Sequence, residues 1–251
     1  MSSDSDFRPA AYFSSPTEAS AYGALQGLMA SSPIPAEETL ANLGLFLTPA
    51  YLARILFMHQ LYQRILRVHG VVMELGVRWG PNLALFSALR AMYEPHNHSR
   101  KIVGFDVFDR VASTAPQDGA LAANGLWGVT SHYERYLSDI MATHEALAPR
   151  SHLRKFEVVK GDVVETLPAY FGRHPESIVA LVYMNLDLYE PTLKSLELLR
   201  PRMPKGAVLA FNELTMAQLP GETIAALEYL DLSRVELCRD PTVPYQSFVV
   251  L

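Results

Sequence analysis

The chain has 251 residues, 49% hydrophobic and 19% charged, with a formal net charge of −5. That balance excludes wholesale disorder and supplies enough apolar side chains for one large core-bearing α/β domain. No apolar run reaches the ~18 residues of a membrane span, no basic stretch leads into an apolar one after Met1, and the acidic balance disfavours nucleic acid as a partner. The single cysteine, Cys238, excludes an internal disulfide and a cysteine-based zinc site. The expectation is a cytoplasmic protein that binds neither membrane nor nucleic acid.

Up to about residue 45, serines from Ser2 to Ser32 and prolines from Pro9 to Pro35 interrupt any long period. Tyr22 to Met29 reads as a short helix there, in an arm or lid or in a loose terminus. A stronger helix follows, with Thr48 as its N-cap, Pro49 at its first position, and apolar residues recurring from Leu52 to Leu66. Gly70 is placed to end it. Then strands and helices alternate. Val71 to Leu75 is a strand, Asn82 to Met92 a helix, Lys101 to Asp106 a strand, and Val129 to Leu147 a helix. Phe156 to Lys160, Ile178 to Asn185 and Ala207 to Phe211 are strands, separated by helices at Thr166 to Phe171 and Thr192 to Leu199. Glu222 to Leu230 is the last helix. Val235 to Cys238 and Ser247 to Val250 are two strands with no helix between them. The alternation predicts a doubly wound parallel sheet, and the closing pair predicts an antiparallel hairpin on it.

In such sheets ligands bind beyond the carboxyl ends of the strands. After the first strand comes Glu74-Leu75-Gly76-Val77-Arg78-Trp79-Gly80-Pro81-Asn82. Gly76 allows a tight turn, and Gly80 lets the next helix begin close to a ligand. Glu74 stands where a dinucleotide fingerprint has its first glycine, and its carboxylate would repel a pyrophosphate. That favours a ligand carrying a cationic amine, although an ordinary strand–helix turn has the same pattern. After the second strand, Asp106 offers two oxygens to a vicinal diol such as a ribose, or caps a turn, and Phe108 is placed to lie against a purine. After the third strand, Gly161-Asp162-Val163 puts a carboxylate near an adenine amine, or at a helix cap. Arg78 suits an anionic group or a solvated turn. The order of these signals favours S-adenosylmethionine over NAD.

The fourth strand ends in Asn185-Leu186-Asp187 and the fifth in Asn212-Glu213, and these ends are neighbours in the expected sheet. Asn185, Asp187, Asn212 and Glu213 would converge as an oxygen-bearing set that suits a hard cation such as Mg2+. Alternatively, Asp187 takes the proton from a substrate hydroxyl, or simply begins the next helix.

From Val71 to Leu230 these blocks are similar, in matching order, to the macrocin O-methyltransferase family of class I S-adenosylmethionine-dependent enzymes. The resemblance rests on Glu74-Leu75-Gly76 with Gly80, Gly104-Phe105-Asp106-Val107-Phe108, Lys160-Gly161, and above all Asp187-Leu188-Tyr189-Glu190-Pro191-Thr192, followed by Pro220-Gly221-Glu222. The whole chain resembles the branch that acts on a nucleotide-linked rhamnose in enediyne pathways. The resemblance implies a Rossmann-like sheet and methylation of a deoxysugar hydroxyl in antibiotic biosynthesis. It implies that Glu74, Gly76 and the turn through Arg78, Trp79, Gly80 and Asn82 hold the methionine part of the cofactor. Asp106 and Phe108 would hold its nucleoside with Gly161, Asp162 and Val163, Asn185 would lie beside it, and Asp187 would be the base. The family's metal positions carry aspartates; here they carry Asn185, Asn212 and Glu213, which weakens the case for a metal.

Trp127 and Tyr189 are the candidate substrate contacts, although Trp127 would equally pin its own loop. His132 and His144 read as ordinary helix residues. Residues 1–70 read as arm and cap, 71–251 as the cofactor-binding domain, and the family implies a homo-oligomer. The rival readings are an NAD-dependent oxidoreductase and a non-catalytic cofactor-binding or assembly protein.

Overall fold

A computed structural model describes residues 14–110, 115–122 and 127–251 of the chain. The serines and proline before Ser14, and Asn124-Gly125-Leu126 ahead of Trp127, lie outside the described residues. The chain divides into two compact units, Met1–Arg54 and Ile55–Leu251.

In the first unit, helix α1 spans Pro16–Ala30, longer than the predicted piece. Ser15 explains its start, because its hydroxyl accepts from the Glu18 N–H while Glu18 accepts from the Ser15 N–H. None of α1 is buried, and a short helix α2 (Ala36–Thr39) and a 3-10 segment (Leu40–Phe46) follow.

Helix α3 (Pro49–Arg64) begins as its sequence predicts, with Thr48 Oγ1 accepting from the Tyr51 N–H at 3.3 Å. Its end differs from expectation. The helix stops at Arg64 and the chain leaves through successive turns, so Gly70 is no helix cap. Gly70 instead lies at φ +136°, and a Cβ there would sit 2.6 Å from the Ile178 carbonyl.

Strand β1 (Val71–Leu75) leads to helix α4 (Pro81–Tyr93), and β2 (Ile102–Asp106) leads to a 3-10 turn (Pro116–Asp118), α5 (Gly119–Ala122) and α6 (Tyr133–Leu147). Next come β3 (Phe156–Lys160), α7 (Val163–Arg173), β4 (Val179–Met184), α8 (Tyr189–Leu199), β5 (Val208–Phe211), α9 (Gly221–Tyr229), β6 (Cys238–Arg239) and β7 (Ser247–Val250). The sheet order is β3-β2-β1-β4-β5-β7-β6, with β7 antiparallel to both its neighbours and the other pairs parallel. The doubly wound sheet and its antiparallel end are therefore as expected. The sixth strand is shorter and later than predicted, and α6 starts at Tyr133 because His132 adopts a left-handed φ of +62° that breaks the helix.

Every residue of β1, β4 and β5 is buried, as parallel strands covered on both faces require. Helix α4 packs with α6, while α7, α8 and α9 pack in series. At the amino ends of the strands a buried ionic cluster seals the layers. Arg90 pairs with Glu145 and donates to the Lys155 carbonyl, and Arg100 donates to Glu94 and to the Gly70 carbonyl at 2.5 Å. No single helix among the described residues is long and apolar enough to cross a membrane.

Candidate active site

Register places the site. Leu75 pairs with both Phe105 and Met184, and Met184 pairs with Phe211, so β1, β2, β4 and β5 end level. The residues that follow, Gly76, Asp106, Asn185 and Asn212, therefore emerge side by side. The strand order reverses between β1 and β4, the point where open α/β sheets bind ligands.

Backbone strain marks the same end. Arg78, Phe108, Asp187 and Thr215 follow β1, β2, β4 and β5 and all have left-handed φ values of +50°, +51°, +61° and +70°. Each costs about 1–2 kcal/mol in an L-residue, so its presence after four strand ends points to function rather than folding. Gly76 is required twice over: its φ is +87°, and a Cβ would meet the Asn185 carbonyl oxygen at 1.9 Å. Gly80, at φ +76°, faces the Leu137 side chain, not a ligand, because a Cβ there would lie 2.4 Å from a Leu137 methyl.

Glu74 is 1% exposed and accepts from Asn82 Nδ2 at 2.7 Å, which fixes the β1 turn to the start of α4. Asp106 braces the β1 and β2 loops, since its two oxygens accept from the Arg78 and Phe108 N–H groups, each at 2.6 Å. Burial raises its carboxyl above the ordinary range, and those backbone donors oppose the rise. Phe108 is buried, so it belongs to the core and presents little face to a purine. Gly161 has φ +136° and donates its N–H to the Asp106 carbonyl. Asp162 is the N-cap of α7 through the Val164 N–H at 2.9 Å, which is why that helix starts before the predicted Thr166. Val163 is buried beneath it.

Arg78 lies over the Trp127 ring at 4.7 Å, a cation–π contact, while the exposed Trp79 meets Tyr133 edge-on at 4.7 Å. Asp187 is 4% exposed. Burial lifts its carboxyl above the usual range, and the Glu213 and Trp127 side chains and the Arg78 charge oppose that lift. Asn185 Nδ2 donates to the Gly76 carbonyl at 2.8 Å. Asn212 Oδ1 accepts from the Tyr183 hydroxyl at 2.6 Å and from Gln246 Nε2 at 3.2 Å. These amides brace the loops, and among the described residues no group of His, Cys, Asp or Glu is placed to hold a metal ion. The set of Asn185, Asn212 and Glu213 does not fit a divalent cation. Tyr189 gives its hydroxyl to Glu228 at 2.5 Å and its N–H to Asp118.

Two buried acids escaped sequence reasoning as site residues. Asp118 is 1% exposed on the connection after β2, and Glu222 is 0% exposed in the first turn of α9. Glu222 stood in the Pro220-Gly221-Glu222 block, but nothing local revealed that the residue turns inward.

Level strand ends at a switch point, a glycine turn, a buried acid near the end of β1 and an acid ending β2 match the cofactor end of a class I S-adenosylmethionine-dependent methyltransferase. Neither a protein-family model nor a curated protein matches the chain. Among solved structures, the apo form of CalS11, a TDP-rhamnose 3'-O-methyltransferase and an enzyme in calicheamicin biosynthesis, is 39% identical. That likeness covers 94% of this chain and 95% of CalS11, with a TM-score of 0.83. A second CalS11 structure, named as the calicheamicin methyltransferase, is 38% identical over 99% of both chains, with a TM-score of 0.90. The O-methyltransferase NovP shares the fold over 79% of each chain at 16% identity and a TM-score of 0.60. The chain belongs to the family of CalS11, the class I S-adenosylmethionine-dependent sugar O-methyltransferases. The family read from the Asp187-to-Thr192 block is thus borne out.

Proposed function

We propose that this enzyme methylates a hydroxyl of a nucleotide-linked deoxysugar of the TDP-rhamnose type in antibiotic biosynthesis. The observation that carries the reading is the likeness to CalS11 over nearly the whole of both chains. S-adenosylmethionine, when bound, supplies an electrophilic methyl group. Gly76 and the turn from Glu74 to Asn82 would hold its methionine part, Asp106 its ribose, and Gly161 to Val163 its adenine. Buried carboxylates at the strand ends suit a cationic sulfonium better than a dinucleotide pyrophosphate, which counts against an NAD enzyme.

Asp187 takes the proton of the substrate hydroxyl as the new bond forms. Burial makes its carboxylate a stronger base than an exposed aspartate, and Arg78, Trp127 and Glu213 keep the charged form accessible. Methyl transfer from a sulfonium depends mainly on alignment, so the strained strand-end loops have positioning as their task. Trp127, stacked on Arg78, is the proposed wall for the sugar nucleotide. With Asn212 held by Tyr183 and Gln246, no step is assigned to a divalent cation. Exposed leucines of the first unit, including Leu28, Leu40 and Leu45, support self-association.

The test is turnover of S-adenosylmethionine with TDP-rhamnose in wild type and Asp187→Ala. The variant should bind S-adenosylhomocysteine as wild type does and lose at least about 100-fold in turnover. Normal turnover would remove Asp187 from the mechanism.

A further inference from the structure

A glutamate is seldom fully buried without a reason. Glu222 is the second residue of α9 and is 0% exposed. Its Oε1 accepts from the Glu213 N–H at 3.0 Å, and the peptide groups of Leu186 and Asn212 also favour its charged form. Leu186 directly precedes Asp187, while Asn212 and Glu213 directly follow β5. One carboxyl thus reaches the backbone of both loops that carry the reactive end of the site.

The seat of α9 is equally tight. A Cβ on Gly221 would lie 2.3 Å from Asp118 Oδ1, 2.6 Å from the Tyr189 nitrogen and 2.8 Å from the Asp187 carbonyl oxygen. Asp118 Oδ1 in turn accepts from the Tyr189 N–H at 2.5 Å. The first turn of α9 thus sits against the backbone of the β4–α8 connection, with the Asp118 carboxylate wedged beside it, so a shift of that turn is felt at Asp187.

Resting on the reading of Asp187 as base, we infer that Glu222 is a positioning residue: it ties the β4 and β5 loops together and so sets the placement of Asp187 and Glu213. It touches neither cofactor nor substrate in this role. Its second oxygen, Oε2, is buried and forms no hydrogen bond among the described residues, which suits a carboxyl that keeps its proton beside a second acid. Burial, reinforced by the Asp187 charge, pushes Glu222 up to about 8, in keeping with that state.

Two variants separate positioning from charge. Glu222→Gln keeps Oε1 as an acceptor for the Glu213 N–H, and Glu222→Leu removes it while filling the space without a buried charge. In Glu222→Leu, amide hydrogen exchange should quicken by about tenfold in the segments around Leu186 to Tyr189 and Asn212 to Leu214, and stay unchanged around Gly76 to Gly80. Its kcat should fall by about 100-fold, the usual consequence of a misplacement of about 1 Å. KM for S-adenosylmethionine and the Kd for S-adenosylhomocysteine should stay within about twofold, and Glu222→Gln should restore kcat to within about threefold of wild type. Unchanged exchange or kcat in Glu222→Leu would overturn the inference. So would a leucine variant that does not fold, a loss of S-adenosylhomocysteine binding as large as the loss of kcat, or a glutamine variant as impaired as leucine. Wild type without turnover on any sugar nucleotide would refute the function instead, and the exchange result would still decide the tie between the loops.

Discussion

Glu222→Gln should make the protein gain stability relative to wild type as the pH rises. In the unfolded chain this glutamate ionises near 4.5, whereas burial in the folded protein holds its proton up to about 8. Between those values the folded state binds the extra proton, so the wild type is penalised progressively as pH rises through the window and suffers no penalty below it. At about 1.4 kcal/mol per unit the full window amounts to at most about 5 kcal/mol, and sharing of charge with Asp187 reduces it to a few kcal/mol. Glutamine has nothing to ionise and keeps the acceptor for the Glu213 N–H. The Tm of the variant minus that of wild type should therefore rise by roughly 5–10 °C between about pH 5 and about pH 9, since about 1 kcal/mol moves Tm by 2–4 °C in a domain this size. Scanning calorimetry across that range reads it directly. A difference constant to within about 1 °C would show that Glu222 is ionised in the folded protein, refuting the reasoning.

Glu145→Ala should cost about 3–5 kcal/mol in urea unfolding, because it leaves Arg90, 2% exposed, as an uncompensated buried charge; a loss below about 1 kcal/mol would show that water reaches the guanidinium. Gly76→Ala should weaken S-adenosylmethionine binding by at least about tenfold in calorimetry, because a methyl group cannot stand 1.9 Å from the Asn185 carbonyl oxygen. Unchanged binding would place the cofactor elsewhere. Turnover with a strong chelator present should stay within about twofold of the untreated enzyme; a loss restored by Mg2+ would overturn the reading of Asn185 and Asn212 as loop braces.

The sheet was legible because its strands are short, mainly apolar runs alternating with helical patterns, and because the missing helix before Ser247 forces an antiparallel end. Two of the boundaries that slipped did so for different reasons. His132 in a left-handed conformation, which no local pattern reveals, delays α6, and Asp162, in the role of cap that its sequence also allows, advances α7. Glu74, Gly76, Asp106 and Asp187 were legible as strand-end residues, since their place follows from register alone. What their side chains do was less so. Asn212 is held by Gln246, and the two meet only because β7 runs back alongside β5. Glu222 is buried only because α9 is seated on the β4–α8 connection through Gly221. Such long-range meetings leave no period or motif to read.

The central claim is methyl transfer to a sugar hydroxyl, and mass spectrometry of TDP-rhamnose incubated with S-adenosylmethionine and this enzyme tests it most directly. The account predicts a single methyl ether on the rhamnose, formed with stoichiometric S-adenosylhomocysteine and lost in Asp187→Ala. Unmodified TDP-rhamnose in the presence of bound S-adenosylmethionine would contradict it.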